Sequence, residues 1–443
     1  MELLVRLQER QQQDADLFLH PLLLTHHQVT LAGYKSLIDL PQTMVLLQQQ
    51  VQNAVAAKRP LFALGSGIGE CISCADERTV TEAMSEGHLI VISESSDVCM
   101  KIIPVPRTLT RAIEAPTTEN VVRDSISAFV EDLDTNVGMI KKHVLSDQLR
   151  IRSYCFGKVQ HRRAVLLHME GQADPSLLDS IIRRLESNLD KEVSDLGKLS
   201  SVLGFPKSTL VTRFNTTELP QNVASGLTKG KVVLILDRFP FALVLPSLLA
   251  DMFAAENDVN YPLVFMISVR ILRFIGVLSN MLMPGLYVAL ISVNPDALRI
   301  ELAMSIAQSR EGIPYPAIVE TLFLLIILEL LLEASIRLPK SIGATITLVG
   351  GIILGQAVVQ ANLVSNVLII ILSATTIASF TVVGFHNVLS VRLPKYLLLV
   401  LSAMYGILGL FIGILVVCAY LASVSSFGIP YVYRWRIKEK SNG

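Results

Sequence analysis

Charge is scarce in this chain: 17% of its 443 residues are Asp, Glu, Lys or Arg, against about 25% in an average soluble domain. Thirty-eight basic residues meet 38 acidic ones. With no net positive field, nucleic-acid binding lacks its main driving force. Cysteine is sparse and odd in number, five in all: Cys71, Cys74, Cys99, Cys155 and Cys418. A scattered odd set in an unexported chain predicts free thiols rather than a disulfide framework. The opening MELLVRLQERQQQDADLF lacks the continuous apolar core of a secretory signal, which predicts a cytoplasmic first half. No Ser, Cys or Asp nucleophile stands beside a recognisable base, so neither enzyme activity nor a cofactor is expected.

What the chain does have is apolar length. Hydrophobic residues make up 51% and the mean hydropathy is +0.52. Most of the charge lies before residue 228, and long Leu/Ile/Val runs dominate the rest. The asymmetry predicts an α/β cytoplasmic region of two small subdomains, 1–108 and 109–228, followed by an α-helical polytopic membrane domain over 229–443. In the first subdomain, VTLAGY (29–34) and two runs in HLIVISESSDVCMKIIPV (88–105) read as strands, with a helix around TMVLLQQQVQNAVAAK. In the second, residues 118–145 are helix-compatible, while LRIRSYCFGK and RRAVLLHMEG read as partner strands. ADPSLLDSIIRRLES follows as a helix with Asp174 as N-cap and Pro175 at its first position.

Three motifs in this half invite sharper readings. GSGIGEC (65–71) resembles a phosphate-cradling loop, but Glu70 replaces the third glycine of the dinucleotide fingerprint and would repel a pyrophosphate. Cys71-x-x-Cys74 has the spacing of half a zinc site, yet no second Cys or His pair follows. His26, His27 and His161 stand apart from any nucleophile. A turn, structural thiols and ordinary histidines are the favoured readings.

In the second half, KVVLILDRFPFALVLP (231–246) has the length and central break of a hairpin rather than a span. About five spans follow, near 263–293, 317–336, 342–360, 363–383 and 396–424, each close to the roughly 20 apolar residues that cross a bilayer. Arg270 with Arg273, Arg337 with Lys340, and Arg392 with Lys395 flank them, and the positive-inside rule puts all three clusters on the cytoplasmic side. An odd span count then leaves the basic tail YRWRIKEK outside. A re-entrant segment, an amphipathic stretch at 296–308 entering the bilayer, or failure of the rule would each remove that conflict.

Charged groups inside a span usually face protein or water. Glu329 and Glu333 share one helical face, and Glu320 points roughly opposite. They read either as carboxylates lining a cation pathway or, the favoured reading, as interhelical anchors matched to Arg337. Gln356, Gln360, Asn362 and Asn366 divide in the same way, between a polar path and hydrogen bonds at a tight outer turn. Gly351-x-x-x-Gly355 and Gly409-x-x-x-Gly413 permit close helix contact and predict a packed, oligomeric bundle.

Several stretches together resemble the GerA family of spore germination proteins, the A subunits of nutrient germinant receptors. They are EAPTTENVVRDSISAFVEDLDTN (114–136), GKVVLILDRFPFALVLP, LMPGLYVALISVNPDAL, SIAQSREGIPYPAIVETL (305–322), IGATITLVGGIILGQAVVQANLVS and SFGIPYV (426–432). The resemblance covers roughly 110–432, and SREGIPYP is its most specific part. It implies a multi-pass protein of the inner membrane of a bacterial endospore, working with a transporter-like B subunit and a lipoprotein C subunit. It further implies a homo-oligomer in contact with membrane lipid that releases cations, with nutrient contact chiefly in the B partner. Arg123-Asp124 and Asp237-Arg238 stand where the family carries Arg-Gly and Asp-Gly, which puts a glycine-type backbone there in doubt. The alternatives are an accessory protein of the SpoVA-associated type that amplifies germination without sensing nutrient, and a secondary transporter. The latter predicts internal repeats, and none is found.

Within SREGIPYP, Pro314 and Pro316 mark where a connecting segment ends and a span begins. Arg310 and Glu311 are adjacent and point to different sides, so each is expected to find its partner on another segment or subunit, in an assembly role.

Overall fold

The computed structural model describes residues 2–24, 27–56, 69–73, 77–93, 98–105, 127–206, 209–337, 350–353 and 355–433. The first unit runs α1 (Glu2–Gln13), β1 (Leu17–Leu24), β2 (His27–Tyr34), α2 (Leu40–Ala56), β3 (Gly69–Ser73), α3 (Glu77–Ser85), β4 (Leu89–Ser93) and β5 (Val98–Ile102). Its strands form an antiparallel sheet in the order β1-β2-β4-β5-β3. Glu70 therefore lies in a strand, opposite Lys101, while residues 65–68 and Cys74 lie outside the described residues. Cys99 is disulfide-bonded, against the expectation of free thiols; Cys155 and Cys418 are free and exposed.

The second unit runs α4 (Leu133–Val144), β6 (Leu149–Phe156), β7 (Arg162–Met169), α5 (Pro175–Glu186), α6 (Leu196–Val202), β8 (Asn215–Thr217), α7 (Pro220–Thr228), β9 (Val232–Leu236) and β10 (Ala242–Leu245). Asp174 caps α5 by accepting from the Ser176 amide, and Pro175 opens the helix. The sheet order is β6-β7-β9-β10-β8, with every pairing antiparallel. The expected break at 228 falls inside this sheet, because the hairpin of 231–246 supplies β9 and β10. Side chains alternate across a strand. Val232, Leu234 and Leu236 pack with the side chains of α5 and α6, and Val233 and Ile235 pack with those of α4 and α7. A strand covered on both faces reads as a continuous apolar run, which is why it looked like the head of the membrane half. At the turn after β9, Arg238 adopts φ +66°. The glycine-type backbone is thus kept without the glycine.

The two units are joined through α4. The Lys141 ammonium lies 2.6 Å from an Asp16 carboxylate oxygen and 3.1 Å from the centre of the Tyr34 ring. Gly138 passes so close to the first unit that a Cβ there would sit 2.7 Å from the Ser36 carbonyl. Burial raises the pKa of Asp14 beside this cluster.

The helical half comprises α8 (Leu263–Val288, extended by a π-turn over 289–293), α9 (Ile300–Ser309), α10 (Ala317–Arg337), α11 (Gly350–Gln360), α12 (Asn366–Ser379) and α13 (Phe385–Ser423). Helices over 263–293 and 387–423 are long and apolar enough to cross a membrane. The second is not straight. Residues eight and fifteen apart in an α-helix are separated by about 12 and 22 Å. Yet a Cβ on Gly409 would lie 2.0 Å from the Leu401 carbonyl, and one on Gly413 would lie 3.0 Å from Leu398. The chain reverses at Gly406 (φ +65°, ψ −139°), so α13 is a hairpin of two arms, 385–405 and 407–423. Where one span was expected over 396–424, there are two antiparallel helical arms.

The hairpin fixes the position of the segment that follows it, up to 433. Thr212 bonds Asn387 at the base of the outgoing arm, and Arg213 bonds the Ser425 carbonyl just past the returning arm. Phe427 enters the core of the second unit, 5.2 Å from the ring of Phe205. The Tyr431 carbonyl accepts from the Leu249 amide. The tail up to 433 therefore lies at the end of the bundle beside the α/β half, here called the near end.

Two substitutions test these turns. A Cβ at position 406 would meet Asn294 Oδ1 at 1.9 Å, so Gly406→Ala should lower the unfolding free energy in detergent by about 3 kcal/mol. Wild-type stability would contradict the hairpin. Arg238→Gly should instead raise stability by roughly 0.5–1 kcal/mol, since relief of left-handed strain exceeds the added chain entropy; a loss would show that the arginine side chain matters more than its backbone.

Candidate functional site

SREGIPYP lies at the far end of the bundle, between α9 and α10. Arg310 ends α9 and Gly312 turns the chain with φ +86°. Pro316 immediately precedes α10, and its carbonyl accepts from the amides of Val319 and Glu320. Arg310 Nε donates to Glu320 Oε2 at 3.2 Å, and its Nη2 donates to the Tyr315 carbonyl at 3.0 Å. The partner of Arg310 is thus in the next helix of its own chain. Glu311, Pro314 and Pro316 are exposed.

Glu320 is the centre of the arrangement, with a side-chain exposure of 0%. Its other oxygen, Oε1, accepts from the Ser365 amide at 2.7 Å. Ser365 is the N-cap of α12, where its hydroxyl accepts from the Leu368 amide. The same hydroxyl shares a 2.9 Å hydrogen bond with Tyr287 of α8. One carboxylate therefore ties the loop, α10 and the head of α12, and through Ser365 it reaches α8. Charge-assisted bonds to guanidinium and backbone N–H are the strong kind, and the carboxylate faces the positive ends of two helices. Around it pack Val288, Ala317, Leu324, Leu368 and Leu399, which keep water away. Asn362, at φ +48°, brings its side chain against Gly312.

A second cluster lies nearer the α/β half. Glu329 bridges Arg392 at 3.1 Å and Lys395 at 3.2 Å, both on the outgoing arm of α13. Lys395 is buried. Glu333 is exposed and, among the described residues, pairs along its own helix with Arg337 at 2.7 Å. Glu329 and Glu333 are therefore not brought together, although they share a helical face. Gln356 is exposed. Among the described residues, Gly351 and Gly355 meet no other segment within 4 Å of an added Cβ, whereas Gly409 and Gly413 make the close contacts inside α13.

Sequence reasoning missed three participants. Asn294 Oδ1 accepts from the Ile407 amide at 2.9 Å, capping the returning arm of α13 at its break. The signal was an Asn-Pro pair ending one apolar run and a glycine inside another. Ser365, a capping residue type directly before an apolar run, was the available sign of the α12 head. Tyr287 gave no distinguishing signal. Among the described residues, no group of three or more His, Cys, Asp or Glu side chains is placed to hold a metal ion.

The family profile of the Bacillus/Clostridium GerA spore germination protein matches residues 6–442. The chain is 33% identical over 350 residues to spore germination protein A1 of Bacillus subtilis, covering 79% of this chain and 72% of that protein. It is 30% identical over 386 residues to spore germination protein GerLA of Bacillus cereus, covering 87% and 78%. The N-terminal domain of the A subunit of the Bacillus megaterium spore germinant receptor GerK3 aligns with a TM-score of 0.40 and 17% identity, over 55% of this chain and 93% of that one. The chain belongs to the GerA family of spore germination proteins.

Proposed function

We propose that this chain is the A subunit of a spore germinant receptor, a homo-oligomeric membrane component that couples nutrient sensing to cation release. In this reading it works with a transporter-like B subunit and a lipoprotein C subunit in the inner membrane of the spore. The observation that carries the proposal is an apolar helical bundle that holds charged side chains in ion pairs between its segments, at Arg310–Glu320 and at Glu329–Arg392–Lys395. Such groups are expensive in lipid and mark working segments of membrane proteins.

The path of the chain supports a six-pass arrangement. From the near end, α8 leads outward to Asn294 beside the α13 tip. From Glu320 at the far end, α10 returns toward Glu329, which meets the outgoing arm of α13. The helix α11 ends at the far end, where Asn362 meets Gly312. Next, α12 returns from Ser365 to the near end, where the Val383 amide bonds the Met252 carbonyl. The two arms of α13 complete three outward and three returning passes. An even count puts the α/β half and the tail up to 433 on one side, the remainder of YRWRIKEK lying outside the described residues, and the positive-inside rule makes that side cytoplasmic.

Glu329 is the carboxylate best suited to gating, because it shares two cations and either ion pair can exchange for a passing cation. Glu320, sealed by its partners, holds the far end of the bundle, and Glu333 is a helix-surface pair. The exposed faces that carry Gln356, Gly351 and Gly355 suit contact between copies.

Spores in which this gene supplies the sole receptor A subunit provide the test. Deleting it should abolish potassium release on nutrient exposure. Glu329→Gln should change the release rate about tenfold, roughly 1.4 kcal/mol in the gating barrier, while the chain accumulates normally. Potassium release that persists after deletion would overturn the receptor role. A wild-type rate in Glu329→Gln would remove Glu329 from gating.

A further inference from the structure

The α/β half holds a cleft of about 330 Å³ whose lining includes neither Glu320 nor Glu329. It opens on the α5 face of the second sheet, beside edge strand β6. Arg150 and Arg152 project from β6, and His168 stands directly opposite Arg150 on β7. Gln13 of α1 and Pro175, Leu178 and Asp179 of α5 help to line it.

The hydrogen-bonding groups there are not all used. Arg150 is held in place: Nη1 donates to the Asp147 carbonyl at 2.7 Å, and Nη2 pairs with Glu170. That leaves its buried Nε with no partner among the described residues. His168 is 6% exposed, and its buried Nδ1 also has no partner among them. A buried polar atom left unpaired costs about 1–3 kcal/mol, and both of these belong to residues that line the one cleft. Arg152 is exposed at its mouth. The carboxylates are less available, since Glu170 already pairs with Arg150 and Asp179 sits exposed on the rim of α5. The unspent capacity is therefore donor capacity.

We infer that this cleft binds a small molecule carrying a phosphate or carboxylate group, held by Arg150, Arg152 and His168. The volume falls at the lower end of the range for small-molecule sites, which fits a compact metabolite rather than a polymer. Burial, with added repulsion from Arg152 and Arg150, lowers the His168 pKa to about 4. The ring is thus neutral at pH 7 and offers an N–H without a net charge. An anion beside it favours the imidazolium form and moves its titration midpoint upward. The charged groups that face it are Arg150, Arg152, Glu170 and Asp179. With the site empty, the sign of the linkage is fixed: the unfolded chain takes up the proton first, so stability is intact above about pH 6.5 and falls between there and about pH 4.

The test uses the full chain in detergent micelles with ¹³C-labelled histidine, and His168→Gln assigns the resonance. Inorganic phosphate and succinate are titrated separately. The expected result is a saturable shift of the His168 signal with at least one probe, together with a higher midpoint for its titration. Phosphate alone would identify a phosphate-bearing ligand, and succinate alone a carboxylate. Arg152→Gln, which alters an exposed side chain, should weaken the binding about tenfold and leave the other histidine signals in place. Neither probe shifting His168 would overturn the inference, as would affinity unchanged in Arg152→Gln.

Discussion

A carboxylate with no access to solvent must be paid for by its neighbours, and Glu320 sets the geometry of the far end for that reason. The penalty for taking an ionised carboxylate out of water is several kcal/mol. It is offset only if Arg310, the Ser365 amide and the helix termini all converge on its two oxygens. Convergence places the α9–α10 loop over the head of α12, and the Ser365 hydroxyl then fixes α12 against Tyr287. Apolar packing alone would let these helices slide, because lipid tails compete equally well for Leu and Ile. The ion pair supplies the direction that dispersion lacks.

The near end is organised differently. There the returning arm of α13 leads into a tail whose Phe427 becomes part of a water-soluble type of core. Asn387 and Ser425, 38 residues apart in sequence, are bonded by the adjacent residues Thr212 and Arg213. Any motion of the second α/β unit is therefore felt at both feet of the hairpin. The hairpin tip in turn is capped by Asn294 of the α8 end. Polar contacts thus hold α13 at both ends, its feet to the α/β half and its tip to the end of α8, with apolar packing between the arms.

Much of this was legible in the residues. The Asp174-Pro175 helix start, the β6 and β7 strands and the separation into α/β and helical halves follow from capping chemistry and periodicity. SREGIPYP was legible as special; where a partner on another segment or subunit was expected for Arg310, the chain supplies Glu320 of the following helix and the Tyr315 carbonyl of the motif itself. Other features were not, for physical reasons. A central strand buried on both faces has the same composition as a membrane segment, so 231–246 was placed in the wrong half. The break at Gly406 lies within 39 residues of helix (Phe385–Ser423), and a glycine in such a run signals close packing as readily as a reversal. Glu329 and Glu333 share a face by helical spacing, but spacing carries no information on which neighbour stands opposite. Arg392 and Lys395 were read only as markers of the cytoplasmic side, although they also neutralise Glu329.

The far end of the bundle depends most on the sealed pair, and the most direct test is a double-mutant cycle on Arg310 and Glu320, read as unfolding free energy in mixed micelles. Arg310→Met leaves the carboxylate buried without its cation and should cost about 3–5 kcal/mol. Combining it with Glu320→Met, which removes the charge altogether, should recover most of that loss. Wild-type stability for Arg310→Met alone, or a double variant as unstable as the sum of the two singles, would contradict the central role given to this carboxylate.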